Sequence, residues 1–423
     1  MRHLIFVLFV VLQGCDSEGK AFVNKDVILS YVSDVEAWAA FSCVHESIPE
    51  ASGDVDSLFR YARWLQNNNQ LNQDEVVYRE VERLYRIASE HDHFKANINL
   101  QNGSMRGQFE LSDADRLRLS QALIDADVAS GYYFIAVYLE RGAAGLQMDH
   151  EMALRYFRKS ADAGSGQAQV YIGEKLASIA PDVTKQLRRC AAAQGQGRAA
   201  VMLSISLQHN DEFREAIEVL QMGVASGDEG AAGRLESAFR GPHISDELHY
   251  LGQDTDLERA ERYEKIWRFL AGYSYANPTV PEINEIVPLP PAELPEWDGK
   301  IKWLEDRLAN VPPEKPSEEL ILRLANAKKL DPATGKPLPS SPDFTQANFP
   351  QQICYPGEAC PQAGHWKVIW PTLRNVRPKE VIRYFDEGDI FPLQTVERYH
   401  LRPWPLRDKT TFREEAVEWG LIG

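Results

Sequence analysis

The sequence predicts a mainly α-helical protein, with an alpha-solenoid over residues 31–275 and a small α+β module over residues 343–423. Two observations support this fold class. Glycines recur with a period in the thirties beside alanine-rich segments, and 21 of the 24 prolines follow residue 276. Because proline breaks the interior of helices, the first part of the chain can be helical throughout, whereas the second part must contain turns and extended segments.

The repeat is clearest where residues 161–170 align with residues 192–201, each with two glycines followed by an alanine. The spacings are 33, 31 and 32 residues, between successive members of the series Gly131, Gly164, Gly195 and Gly227. A helix, a glycine turn and a second helix at such a period are typical of an alpha-solenoid. The pattern resembles Sel-like repeats, which are related to tetratricopeptide repeats, over roughly residues 50–270. The resemblance implies antiparallel helix pairs stacked into a right-handed superhelix.

Residues 276–342 form a segment rich in proline and tryptophan between the solenoid and the module. The run over residues 278–295 is expected to lie extended along a surface, as proline-rich runs do. Two helices are predicted after it, over residues 301–309 and 317–327, and Ser317 is a suitable N-cap for the second helix.

The first 14 residues have the pattern of an export signal: a basic start, an apolar run over residues 4–12 and a small residue, Gly14, directly before a cysteine. The apolar run is too short to cross a bilayer as a helix. The sequence Leu-Gln-Gly-Cys, ending at Cys15, resembles the bacterial lipobox. The resemblance implies a lipoprotein anchored to a membrane in the periplasm by a lipid on Cys15, with residues 15–30 as a tether. An ordinary cleaved signal with a chance cysteine is the alternative.

The net charge of −16 argues against nucleic acid as a partner. Residues 343–423 carry eleven acidic and ten basic residues, so the excess acidity belongs to the preceding chain. Such a surface is either simply well solvated or suited to a basic partner.

Disulfides are allowed in the compartment that the export signal implies. Cys354 and Cys360 flank a turn-rich loop, and we predict that a disulfide joins them. Cys190 lies on a predicted helix face, where a buried thiol is an equal alternative to a bridge.

No familiar catalytic motif is found: the sequence lacks Gly-x-Ser-x-Gly, His-Glu-x-x-His and a phosphate-binding loop. Ser17 and Lys20 have the spacing of a penicillin-site nucleophile and base, but chance explains a pair so close to the anchor. His91 and His93 could approach a metal ion, although a polar turn between two helices is the favoured interpretation. We therefore predict a protein that is not an enzyme and that needs no metal or cofactor.

Aromatic and acidic residues in the second half of the chain are candidates for partner contacts, because aromatic side chains often anchor interfaces. Core packing is the alternative interpretation for the aromatic ones. The candidates are Trp297, Asp298, Trp366, Trp370, Tyr384, Phe385, Asp386 and Asp389.

Three local sequences add to the lipobox and the repeats. They are Trp-Asp-Gly-Lys from Trp297, Cys-Pro-x-x-Gly-x-Trp from Cys360 and Arg-Tyr-Phe-x-x-Gly-Asp-x-x-Pro from Arg383. The combination resembles immunity proteins that are encoded beside type VI secretion effectors. The resemblance implies that the chain binds a cognate secreted effector, a phospholipase D, and occludes its active site. Two other classes stay open: a periplasmic interaction scaffold or signalling adaptor, and an envelope hydrolase.

Overall fold

The computed structural model describes residues 40–341, 353–369, 376–377, 381–400 and 409–421. The predicted signal peptide, the lipidation site Cys15 and the tether lie outside these residues. The chain divides into two compact units, which are described separately. Unit 1 contains residues up to Ser47 and Leu154–Asn310, and unit 2 contains Ile48–Ala153 and the residues from Val311 onward.

The described residues confirm a mainly helical fold with a small sheet-containing module at the C-terminal end. The helices are α1 (Gly53–Asn68), α2 (Glu75–Glu90), α3 (Phe94–Met105), α4 (Asp113–Asp125), α5 (Ser130–Arg141), α6 (His150–Asp162), α7 (Gly166–Leu176), α8 (Pro181–Ala193), α9 (Gly197–Gln208), α10 (Phe213–Ala225), α11 (Glu229–Phe239), α12 (Leu257–Gly272), α13 (Ile283–Ile286), α14 (Lys302–Ala309) and α15 (Glu318–Ala327). The last two confirm the helices predicted after the proline-rich run. None of the described helices combines the length and apolar character that crossing a membrane requires.

Glycine turns join the helices within three successive pairs, α6–α7, α8–α9 and α10–α11, as the repeat predicts. Gly164, Gly195 and Gly227 have φ angles of +112°, +83° and +92°, a region that side chains disfavour. Gly131 departs from the prediction, because it lies inside α5 and Asp127 takes the turn position with φ +57°. A Cβ atom at Gly131 would lie 2.7 Å from the carbonyl oxygen of Ser120, so this glycine allows α4 and α5 to pack closely.

In unit 1 the helices α8–α12 share one hydrophobic core with the chain that follows them. Val280, Ile283 and Ile301 are nearly fully buried in this core. The buried amide of Gln221 donates a hydrogen bond to the carbonyl of Val287 at 2.7 Å and accepts one from the Tyr263 hydroxyl at 2.6 Å. Residues 278–301 are thus packed against the repeats.

In unit 2 the helix α15 packs against α2. Ile321 and Leu324 join a core that contains Leu84 and Tyr85. At its edge, Arg83 forms an ion pair with Glu318 at 2.8 Å. The helix α15 therefore packs against the N-terminal helices of unit 2.

The C-terminal module has strands β1 (Ile353–Cys354), β2 (Gly364–Ile369), β3 (Val376–Arg377), β4 (Ile382–Phe385), β5 (Gln394–His400), β6 (Lys409–Glu415) and β7 (Glu418–Leu421). They form one antiparallel sheet in the order β1-β7-β2-β4 and another in the order β3-β5-β6. The described residues of this module contain strands and no helix, whereas the sequence predicts an α+β composition. Buried aromatic side chains, with Trp366 and Trp419 fully inaccessible, form the core of the module.

The disulfide prediction requires a correction, because a disulfide joins Cys43 to Cys190 while Cys354 and Cys360 are free, buried thiols. The loop between the latter two is closed by backbone hydrogen bonds instead. Gly357 donates to the carbonyl of Phe391 at 2.8 Å, and Phe391 donates to that of Glu358 at 3.0 Å. Burial raises the pKa of the Cys354 thiol, so this side chain stays protonated at neutral pH.

Candidate protein-binding surface

The connection between α11 and α12 is much longer than those between the preceding repeat helices of unit 1, α6–α11. Residues 177–180 and 209–212 are enough to join α7 to α8 and α9 to α10, whereas 17 residues, 240–256, separate α11 from α12. Long connections inside a compact fold are uncommon and often carry function. We name residues 241–258, which extend into the start of α12, the acidic loop.

The acidic loop is held firmly against the repeats. The side-chain amide of Gln208 donates to the carbonyls of Glu247 and Tyr250 at 3.1 and 2.9 Å. The Tyr250 ring meets the Phe213 ring edge to face, with centroids 5.4 Å apart. Leu251 is 1% exposed and belongs to the core of the unit. The loop is therefore a shaped surface, with its inner residues anchored.

The outer residues of the acidic loop combine apolar and negatively charged side chains. Ile244, Leu248 and Leu257 are 69%, 61% and 57% exposed. The loop has no lysine or arginine, and its five acidic residues are Asp246, Glu247, Asp254, Asp256 and Glu258. Asp256 and Glu258 form ion pairs with Arg259 and Arg262 of α12, so the excess negative charge belongs to the other three. Exposed apolar side chains that are held in place beside an excess of one charge are typical of a protein-binding surface.

Local hydrogen bonds keep Asp246 charged. Its carboxylate accepts from the backbone N–H of Leu248 at 3.2 Å and contacts Nδ1 of His249 at 3.0 Å. The hydrogen bond to His249 holds the pKa of Asp246 below its ordinary value. The negative charge of this part of the loop thus persists into mildly acidic conditions.

The acidic loop is absent from the residues that the sequence analysis selected. Two signals could have identified it. Ala216 and Ala260, which hold equivalent positions in successive repeats, lie 44 residues apart, more than the repeat period. Isolated Ile244 and Leu248 also stand among acidic and turn-forming residues. Aromatic content drew attention to the second half of the chain instead.

Trp297 and Asp298 lie in a turn of unit 1. The indole Nε1 of Trp297 donates to the carbonyl of Lys300 at 2.8 Å, and the charged ends of Arg262 and Lys265 each lie 5.9 Å from its ring centroid. Asp298 pairs with Lys300 at 3.0 Å, and that hydrogen bond lowers the pKa of Asp298. Trp297 is half-buried and Asp298 is exposed, so both stay candidate contacts.

The candidates in the C-terminal module divide into core and surface residues. Trp366 is 0% exposed and Phe385 is 8% exposed, because both point into the aromatic core. This corrects their assignment as partner contacts. Asp386 and Asp389 are exposed in a turn, where a carboxylate oxygen of Asp389 accepts from the N–H of Asp386 at 2.9 Å. They stay candidate contacts, while Trp370 and the side chain of Tyr384 lie outside the described residues.

The histidine pair lies in the turn between α2 and α3, as the favoured interpretation predicted. His93 is 4% exposed and caps α3, since its Nδ1 accepts from the N–H of Ala96 at 3.1 Å. Its Nε2 lies 3.3 Å from the carboxylate of Asp56. Burial lowers the pKa of His93, and the Asp56 carboxylate only partly opposes this shift. The folded protein therefore holds this imidazole neutral.

The lowered pKa of His93 predicts an acid-sensitive unit 2. In the unfolded chain His93 binds a proton below about pH 6.5, whereas the folded chain resists protonation, so stability falls as the pH drops through this value. We expect His93→Asn, which keeps a capping side chain, to weaken the decrease in melting temperature between neutral and mildly acidic pH. The exposed His150 gives the matched control, His150→Asn. An equal decrease in wild type and His93→Asn would contradict the assignment.

Comparisons with known proteins give one family match and several structural similarities. Residues 231–338, which include the acidic loop, match the family described as "Domain of unknown function (DUF6396)". PA5086 of Pseudomonas aeruginosa is similar with 24% identity and a TM-score of 0.45, over 59% of this chain and 95% of that one. The immunity protein PA5088 from Pseudomonas aeruginosa has 22% identity and a TM-score of 0.46, over 59% and 94% of the two chains.

A Sel1 repeat protein from Oxalobacter formigenes is similar over 48% of this chain and 86% of that one, with 17% identity and a TM-score of 0.36. No curated protein matches the chain. The acidic loop is therefore the strongest indication of function within this chain.

Proposed function

We propose that the protein is a periplasmic immunity protein, anchored by a lipid on Cys15, that binds a cognate type VI secretion effector and inhibits it. We further propose that the effector is a phospholipase D and that the inhibitor occludes its active-site entrance. The observation that supports this proposal best is the acidic loop, which holds Ile244 and Leu248 exposed among carboxylates. The proposal assigns this chain to the functional class of PA5088.

The charge of the acidic loop suits such a target. A phospholipase D active site gathers lysine and histidine side chains to hold a phosphodiester, so its entrance is expected to be electropositive. Carboxylates such as Glu247 and Asp254 would attract that entrance over distance and speed association. Apolar side chains such as Leu248 would be buried on contact and slow dissociation.

Two features of the chain support a periplasmic location. The start of the sequence has the pattern of a lipoprotein signal, and the Cys43–Cys190 disulfide suits an oxidising compartment such as the periplasm. A lipid anchor would keep the inhibitor at the membrane, where a phospholipase D finds its substrate.

The test uses the purified chain and the effector encoded by the neighbouring gene. We expect tight binding and loss of phosphodiester hydrolysis. Leu248→Ala should mainly speed dissociation, whereas Glu247→Lys should slow association and reduce its dependence on salt. Association and dissociation rates are measured by surface plasmon resonance at several ionic strengths.

Unit 2 offers matched controls. Leu71 is 68% exposed and the side chain of Glu75 is 88% exposed, so Leu71→Ala and Glu75→Lys make the same changes at residues that are not part of the acidic loop. Both should leave the rates unchanged. Tight binding that leaves hydrolysis of a small soluble substrate intact would contradict occlusion of the active site. No binding at micromolar concentration would contradict immunity against that effector.

A further inference from the structure

Residues 43–46, here named the N-terminal segment, lie across the repeats of unit 1 without forming a helix, strand or turn. The side-chain amide of Gln169 donates to the carbonyl of Val44 at 3.0 Å. The backbone N–H of Glu46 donates to the amide oxygen of Gln194 at 2.9 Å. Both hydrogen bonds are made to backbone atoms of the segment, so they do not depend on its side chains.

The groups that hold this backbone are fixed by their own contacts. Gln169 is 0% exposed, and its amide also donates to the carbonyl of Ala161 at 3.1 Å. The amide of Gln194 donates to the amide oxygen of Gln169 at 3.0 Å. A Cβ atom at Gly164 would lie 2.6 Å from the N atom of Glu46, so the glycine makes room for the passing chain. Together, Gly164, Gln169 and Gln194 form a preorganised surface for a polypeptide backbone.

Most of the N-terminal segment is exposed to solvent. Cys43, Val44 and His45 are all exposed, and Val44 retains 44% of its accessible area. Two hydrogen bonds contribute modestly, and ordering four residues opposes binding. The Cys43–Cys190 disulfide, which joins residues 147 positions apart, attaches the segment covalently to α8.

We propose that Gly164, Gln169 and Gln194 form a binding site for an extended polypeptide backbone. The N-terminal segment occupies this site while the disulfide is intact. An extended segment of a partner protein occupies it after a dithiol has reduced the bond. The site lies apart from the acidic loop, and its test uses no effector, so this inference is independent of the proposed function.

Reduction proceeds by thiol–disulfide exchange. One thiolate of the dithiol attacks the Sγ of Cys43, the exposed partner, and forms a mixed disulfide while Cys190 leaves as a thiolate. The second thiol of the reagent attacks the mixed disulfide and releases Cys43. The dithiol ends as a disulfide, and both cysteines end as thiols.

The test measures binding of a fluorescent peptide with the sequence of residues 40–48 and the substitution Cys43→Ser. We expect the reduced chain to bind it at least about tenfold more tightly than the oxidised chain, because the reduced segment remains attached only through the backbone at Ser47 and can be displaced from the site. A second peptide that also carries Glu46→Pro lacks the N–H that Gln194 accepts, and it should bind more weakly. A third, with Val44→Ala and His45→Ala, should bind as tightly as the first.

The repeat itself provides the control in the protein. Gly164→Ala should abolish binding of the first peptide, because the added methyl group occupies the path of the backbone. Gly195→Ala introduces alanine at the equivalent turn, where φ is also positive but the nearest atom is Ser226 Oγ at 3.7 Å. This variant should bind the peptide like wild type. EDTA is present throughout, since His45 and the two cysteines lie close enough to hold a metal ion once reduced.

In the chain itself, Glu46→Pro removes the hydrogen bond from the N-terminal segment to Gln194. The segment then competes less strongly, so it cannot mask binding of the peptide to the site. If neither the reduced wild type nor the reduced Glu46→Pro variant binds the first peptide at millimolar concentration, the proposal is overturned. Equal binding by the oxidised and reduced chains overturns it as well. Hydrogen exchange gives an independent readout: the amides of residues 44–46 should exchange faster on reduction, and unchanged protection would overturn the proposal.

Discussion

Replacement of Trp366 by alanine is expected to unfold the C-terminal module, at a cost of about 3–5 kcal/mol. The side chain is 0% exposed, and its ring meets the ring of Phe391 edge to face with centroids 4.8 Å apart. Its indole N–H donates to the carbonyl of Gln362 at 3.3 Å. Alanine would remove these contacts and leave a cavity that the two small sheets cannot fill.

Hydrogen exchange of the full chain measures this effect. In Trp366→Ala, the amides of β2 and β7 should lose protection, while those of the repeat helices in unit 1 should keep it. Phe412 on β6 is 62% exposed, so Phe412→Ala is an aromatic truncation in the same module with little expected effect. Equal protection of β2 in Trp366→Ala and wild type would show that the aromatic core does not hold the module together.

Cys15→Ala is expected to abolish lipid attachment and to release the protein from the membrane. The cysteine thiol is the atom that would receive the diacylglycerol, and alanine offers no nucleophile in its place. Metabolic labelling with palmitate measures attachment, and membrane fractionation measures release. Ser17→Ala, two residues further along, is the control and should be labelled like wild type. Labelling of Cys15→Ala at the wild-type level would refute the lipoprotein prediction.

Local sequence determined the helices and their ends. Helix formation depends on neighbours three or four residues away, and glycine acts on its own turn. The positive φ angles of Gly164 and Gly195 therefore follow from the repeat alone. The same holds for Ser317, whose hydroxyl accepts from the N–H of Leu320 at 3.1 Å at the start of α15. Asp127 replaced the expected glycine turn because aspartate also tolerates this conformation.

Only the tertiary structure determined which residues that are distant in sequence come into contact. Cys354 and Cys360 are close along the chain and turn-rich between them, yet the disulfide joins Cys43 to Cys190 across 147 positions. Composition could not reveal this, because chain folding sets which cysteines meet, and geometry must then permit the bond. The path of residues 43–46 over Gly164 depends on the same folding.

Burial was likewise decided by packing. Trp366 and Phe385 were predicted to contact a partner because they are aromatic, but an aromatic side chain suits a core as well as an interface. The two sheets bury both residues. Ile244 and Leu248 were not predicted as contacts. Their exposure depends on Gln208 and Leu251, which anchor the inner side of the acidic loop. Residue type sets how much burial would stabilise a side chain, but only the assembled fold determines which side chains are covered.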